Sequence, residues 1–293
     1  MRPLLVLLVR GQRIDRRVLY LLLAATVALP MVIRLPVPPV AITPQSRQFF
    51  RTVEQFADDP ARRHKLVILC TNYGSGTSAE NQTQTEAVLH HLMRKRLKFA
   101  LFAFSTPQGR ELGKASAEKL ASRYGYEYGR DYVHFGFRPP DSVEPLLKAA
   151  VRDIPGNFGN DINGTPLAEI PVMQGIRTVN DIGMIVEVAS SNTLQLWIAF
   201  FQRVGEEPIP TLYCPTNVMA PEAFPLLASG QLSGMLAGLN GATEYEQLLN
   251  EPGFGSGVSA PLSYSQLLIV LLIALGNAGM FAQRRLARLR EEE

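Results

Sequence analysis

Crosslinking and metal-binding side chains are scarce in this chain. Two cysteines in 293 residues, Cys70 and Cys214, cannot build a disulfide framework, and neither stands in a C-x-x-C or a Cys/His cluster of metal-ligand spacing. Charge is scarce as well: Asp, Glu, Lys and Arg make up 19% of the residues, where a soluble protein carries about a quarter. No collagen-like or heptad repeat runs through the chain, and 46% hydrophobic residues exclude disorder as a global description. A slightly positive mean hydropathy of +0.05 then points to soluble sequence averaged with membrane segments.

The apolar residues that raise this average lie at the two ends. Val18 to Ile33 is free of charge and Leu35 to Ile42 prolongs it past Arg34, so residues 18–40 read as a first transmembrane helix. The basic segment 1–17 before it carries Arg2, Arg10, Arg13, Arg16 and Arg17 against Asp15. No small-x-small cleavage site follows, and Pro36, Pro38 and Pro39 crowd the exit, which favours an uncleaved anchor over a signal peptide. Residues 264–282 read as a second span, followed in the tail 283–293 by Arg284, Arg285, Arg288 and Arg290. Basic flanks stay in the cytoplasm, so both termini are expected inside a bacterial inner membrane and residues 43–262 outside it. Once the basic ends are set aside, the middle carries net negative charge, which argues against nucleic acid and for the lipid bilayer as the partner of the arginines.

Between the spans the pattern alternates. Gln45 to Phe56 has helical spacing and ends at Pro60. Short apolar runs at Lys65–Cys70, Phe99–Phe104, Tyr132–Phe137, Gly183–Ala189 and Pro210–Tyr213 are each followed by a Gly/Ser/Thr/Pro loop and a helical stretch. Near-continuous apolar strands need cover on both faces, which predicts an α/β, Rossmann-like, mostly parallel sheet with flanking helices. The Gly- and Pro-rich segment 155–175 reads either as a lid or contact surface or as an excursion over the sheet edge.

Ligands in such sheets collect beyond the strand carboxyl ends. The candidate ligand-binding residues there are Thr71, Asn72, Gly74, Gly76, Ser105, Glu187, Ser190 and Asn192. The Thr71–Ser78 loop lacks both the Walker A and the dinucleotide spacing, and Ser78, Asn81 and Gln82 suit helix capping as well as an anion cradle. Glu187 inside an apolar run needs a buried partner or a raised pKa, unless its strand is an edge that faces water. Cys70 and Cys214 both end strands; they pair if those strands are neighbours, and buried free thiols are the favoured alternative. The four histidines, His64, His90, His91 and His134, are not placed to activate a sulfur. Gly230, Gly234, Gly238 and Gly241 form either a helical groove or, the preferred reading, turns around a short strand with a helix starting near Gly241. Either way they are candidates for a self-association surface.

Longer phrases, among them QTEAVLHHLMRKRLKFALFAFSTPQG, EIPVMQGIRTVNDIGMIVEVASS and VMAPEAFPLLASGQLSGMLAGLNGATEYEQLL, resemble a family of uncharacterised two-span bacterial membrane proteins. The middle is also distantly similar to α/β domains of gliding-motility and ABC-transporter auxiliary proteins, which implies a partner-binding role. At Phe137-Arg138-Pro139-Pro140 the chain departs from the family's glycine-rich continuation. No catalytic set, cofactor or metal is implied. The expectation is an accessory, scaffold or partner-binding subunit of a membrane assembly, self-associating or joined to other subunits. The alternatives are a hydrolytic or thiol-dependent enzyme at the strand ends and a small-ligand sensor.

Overall fold

The structure, a computed structural model, describes residues 14–33 and 41–291. Ala41–Gly255 is one compact unit, and the flanking segments form another. Five strands build the first unit: β1 (Leu66–Asn72), β2 (Phe99–Ala103), β3 (Tyr132–Phe137), β4 (Ile182–Ala189) and β5 (Thr211–Pro215). All are parallel, in the order β3-β2-β1-β4-β5. Alternate side chains of one strand enter different cores, which is why these strands carry apolar residues at nearly every position. Val67, Leu69, Val186 and Leu212 pack with Phe49, Val53, Leu89 and Tyr245 of one helical layer. Leu66, Ile68, Phe102 and Ile185 pack with Leu147, Phe158, Trp197 and Phe201 of the other. The α/β sheet with helices on both faces is as the alternation predicts.

The segment 155–175 is an excursion that seals the second layer. It begins in the short helix Ile154–Phe158, continues through 3-10 turns, and buries Phe158, Leu167, Ile170, Val172 and Met173. A segment with that much buried apolar surface is not a lid.

The glycine-rich stretch turns inward. Gly234, Gly238 and Gly241 are buried and only Gly230 is exposed, so the expected association surface is corrected to a packing seam inside this chain. A Cβ on Gly234 would lie 2.4 Å from the backbone of Phe49, and one on Gly241 2.5 Å from that of Leu236. The helix Gly238–Leu249 starts where Gly238 takes a φ of +54°, three residues before the expected start.

In the flanking unit the helix Phe254–Glu291 contains the stretch Gly255–Arg285, long and apolar enough to cross a membrane. It is the one such stretch among the described residues. The helix Arg16–Ile33 starts on two arginines and contains Pro30, and the residues 34–40 that would complete the expected first span lie outside the described residues, as do Arg2, Arg10 and Arg13. Thr26 Oγ1 and Ser265 Oγ of the two helices lie 3.4 Å apart.

Candidate functional site

The strand order reverses between β1 and β4, which places the crevice expected of an open parallel sheet beyond Asn72 and Ala189. Glu187 lies just below it, opposite Cys70 on one side and Tyr213 on the other. Its strand is internal, so the edge-strand alternative is excluded, and the side chain is fully buried. A buried carboxylate must collect donors, and Glu187 does. Asn72 Nδ2 (2.7 Å) and Thr193 Oγ1 (2.5 Å) donate to Oε1, and Trp197 Nε1 (2.9 Å) donates to Oε2. Burial raises its pKa to about 7, against the pull of these donors and of the neighbouring Cys70 thiol.

Asn72 completes the arrangement. Its Oδ1 accepts the N–H groups of Phe104 (2.7 Å) and Ser105 (3.0 Å), so one carboxamide joins β1, the end of β2 and Glu187. Thr193 spends its hydroxyl on Glu187 and makes no side-chain cap for the helix Leu194–Phe200 that it precedes. Fixed in this way, the group ties three strand ends and a helix together.

Above it, Ser105 and Ser191 are half-buried and their hydroxyl oxygens are 3.0 Å apart. Ser190 donates its N–H to the Asn72 carbonyl (3.2 Å), and Asn192 is exposed. The Thr71–Ser78 loop brings in Gln108, whose Oε1 accepts the Ser75 N–H at 3.0 Å beside Gly74, while Gly76 faces open space. Thr71 Oγ1 is buried without a partner, facing Gly113. Arg138 turns away and donates to the carbonyls of Phe137 and Phe158. The structure thus brings together Asn72, Ser105, Glu187 and Ser191, with Ser190 adjacent, and leaves Asn192 and Gly76 in solvent.

Cys70 and Cys214 are buried free thiols. They belong to different cores on opposite faces of the sheet, with β4 between their strands, so they do not pair. Burial pushes both thiols well above their ordinary pKa, and the Glu187 carboxylate adds to it. A high pKa and no exposure leave neither sulfur nucleophilic.

The histidines serve other contacts. His134 Nδ1 accepts the Gly136 N–H, which leaves its Nε2–H to donate to the Arg110 carbonyl. His91 bridges Tyr245 (2.6 Å) and Glu54 (2.7 Å), and Lys95 holds the other Glu54 oxygen. Burial lowers both histidines to about 4. His90 lies 2.9 Å from the Tyr124 hydroxyl, and His64 is exposed ahead of β1.

Sequence reasoning missed two features. The first is a carboxamide pair on the helix Ser78–Arg94. Asn81 Nδ2 reaches the carbonyls of Ala189 and Cys214, and Gln84 Nε2 those of Pro215, Leu236 and Gly238. Asn81 therefore does not cap its helix, and the N-cap residue, Thr77, makes no side-chain cap bond either, its hydroxyl donating back to the Gly74 carbonyl (3.4 Å). Two long amides one turn apart on a helix that must cover a sheet were the available signal. The second is the pair Gly109 and Gly113, which lets the helix Pro107–Tyr124 lie on Thr71; a Cβ on Gly109 would stand 1.9 Å from the Thr71 carbonyl oxygen. No family model, curated protein or solved structure matches this chain, so its own residues carry the functional reading.

Proposed function

We propose that the chain is a membrane-anchored module whose α/β domain stands outside the cytoplasm of a bacterium and binds a partner as an accessory or scaffold subunit of a membrane assembly. The observation that carries the reading is the exterior of the flanking helices. Leu267, Val270, Ile273 and Phe281 of one and Leu21 and Val32 of the other are half to four-fifths exposed. Apolar surface on that scale is stable against lipid or protein, not water. In this reading both helices span, and the arginines flanking them hold both termini inside. The resemblance to two-span membrane proteins points the same way.

The strand-end arrangement supports a binding role over catalysis. Glu187 is enclosed by donors, Ser105 faces another hydroxyl and not a base, and the thiols are sealed. A hydrolytic or thiol enzyme would need a nucleophile, a base and an orienting group within mutual reach. Capture of the full chain from native membranes, with identification of what stays bound, tests the proposal. A defined partner is the expected result. Monomeric behaviour by light scattering in mild detergent, with nothing co-purifying, would contradict it.

A further inference from the structure

A carboxyl group sealed inside a domain has two forms, and each asks something different of its neighbours. Ionised, Glu187 only accepts; protonated, it must also place an O–H. Asn72 Nδ2 and Trp197 Nε1 can only donate, so neither takes that proton, and the Cys70 thiol is a weak acceptor. Thr193 Oγ1, 2.5 Å from Glu187 Oε1, can donate or accept. It also lies 3.4 Å from the Ser191 carbonyl, a second acceptor for its own proton. In the ionised form the Thr193 hydroxyl therefore donates to Glu187. In the protonated form the Glu187 O–H donates to Thr193 Oγ1, whose proton turns to the Ser191 carbonyl.

Thr193 ends the loop that rises from β4 to the rim of the crevice. The other bonds that hold this loop to the sheet are neutral: the Ser190 N–H donates to the Asn72 carbonyl (3.2 Å), and Ser191 Oγ lies 3.0 Å from Ser105 Oγ. A bond to an ionised carboxylate is roughly twice as strong as a neutral one. The Thr193 hydroxyl thus ties the loop to the sheet when Glu187 is charged, and spends its proton within the loop when Glu187 is neutral.

Among the described residues nothing charged competes for Glu187. The titratable groups within its electrostatic reach are Cys70 of β1 and Tyr213 and Cys214 of β5, all pushed up by burial and so neutral at neutral pH. The helix Leu194–Phe200 supplies Trp197 and no charged residue. The helix Pro140–Ala150 turns Val143, Leu147 and Ala150 inward and leaves Asp141, Glu144 and Lys148 exposed. Arg138 is spent on the carbonyls of Phe137 and Phe158, and Glu222, beyond Tyr213, is exposed. Burial outweighs the donors and brings the Glu187 carboxyl to about 7, so both forms occur near neutral pH.

We infer that Glu187 is a proton-operated latch: deprotonation anchors the Ser190–Thr193 loop to the sheet through the Thr193 hydroxyl, and protonation loosens it at the mouth of the crevice between β1 and β4. The rim where Ser191 meets Ser105 becomes sensitive to pH as a result. This holds whether or not the chain is anchored in a membrane.

Trp197 is the single tryptophan of the protein and bonds Glu187 directly, so its fluorescence reports the carboxyl. A nitroxide on Asn192→Cys, exposed and next to Thr193, reports the loop. Wild type carried through the labelling controls for the buried Cys70 and Cys214. Both signals are read on the full chain in mild detergent from about pH 5 to about pH 9, with circular dichroism showing that each variant is folded. Trp197 emission and label mobility should change together with a midpoint of about 7, the label being less mobile at high pH. In Thr193→Val the tryptophan should still titrate while the label stays mobile; Thr193→Ser should restore the coupled change, and Glu187→Gln should flatten both signals. A wild-type label that ignores pH while Trp197 titrates would overturn the inference. So would a wild type in which neither signal titrates, or a Thr193→Val chain whose label still follows pH.

Discussion

The two parts of the chain place their apolar residues in opposite directions. In residues 41–255 the large apolar side chains face inward, and buried polar groups such as Glu187, Asn72, His91 and Gln84 are hydrogen-bonded to partners in the same domain. In the flanking helices leucine, isoleucine and valine face out. On the proposed membrane-anchored reading, this contrast reflects two solvents acting on one chain. Tyr128, Val204, Val218 and Phe224 are the exposed exceptions among the domain's large apolar side chains.

The largest expected effect bears on the inward half. Glu187→Ala strips the acceptor from Asn72, Thr193 and Trp197 at once; each buried orphaned donor costs about 1–3 kcal/mol, so the domain should lose roughly 3–5 kcal/mol and melt markedly lower by circular dichroism. A melting temperature unchanged from wild type would show that the group is not fixed as described. Next comes the outward half. Leu271→Arg adds a charge at span depth, at a cost of about 2.5–3.5 kcal/mol, and should move protein out of the alkali-washed membrane pellet without lowering the domain's melting temperature.

The response to acid is smaller and has two opposed parts. His91 and His134, about 4 when folded against an ordinary 6.5, favour the native state above 6.5 and lose that contribution as pH falls toward 4, about 2 kcal/mol each by pH 5. Glu187, raised from 4.5 to about 7, acts in reverse: the native state holds its proton more tightly, so stability rises by about 2 kcal/mol between pH 7 and 5. Denaturant titrations should therefore show a net loss on acidification that Glu187→Gln makes steeper. A fall of equal slope in the variant would place the Glu187 proton elsewhere. The smallest effect is at the sulfurs: Cys70 and Cys214 should resist maleimide in the folded chain and react once it is denatured.

How much of this could be read from the sequence differs by residue. Tyr132–Phe137 falls where its apolar run places it, and the other four strands lie within two residues of their runs at either end, because a strand covered on both faces writes its burial into every position. The fate of Glu187 was legible in half: a lone carboxylate among apolar residues has to be satisfied, but its donors come from Asn72, Thr193 and Trp197, and the pairing of β1 with β4 that brings Asn72 there is a long-range choice with no local mark. The same holds for Gly234 and Gly241, whose spacing fits a groove for a second helix as well as it fits close contact with Phe49 and Leu236. Asn81 looked like a cap because caps are local; the carbonyls it meets at Ala189 and Cys214 come from strands far along the chain.

The most direct test of the central claim is a pair of reporters inserted at residue 150, one active only outside the cytoplasm, such as alkaline phosphatase, and one fluorescent only inside it. An active phosphatase with a dark fluorescent protein is the outcome expected of an outward-facing domain anchored by apolar helices. Fluorescence with no phosphatase activity would put the domain in the cytoplasm and contradict the assigned orientation.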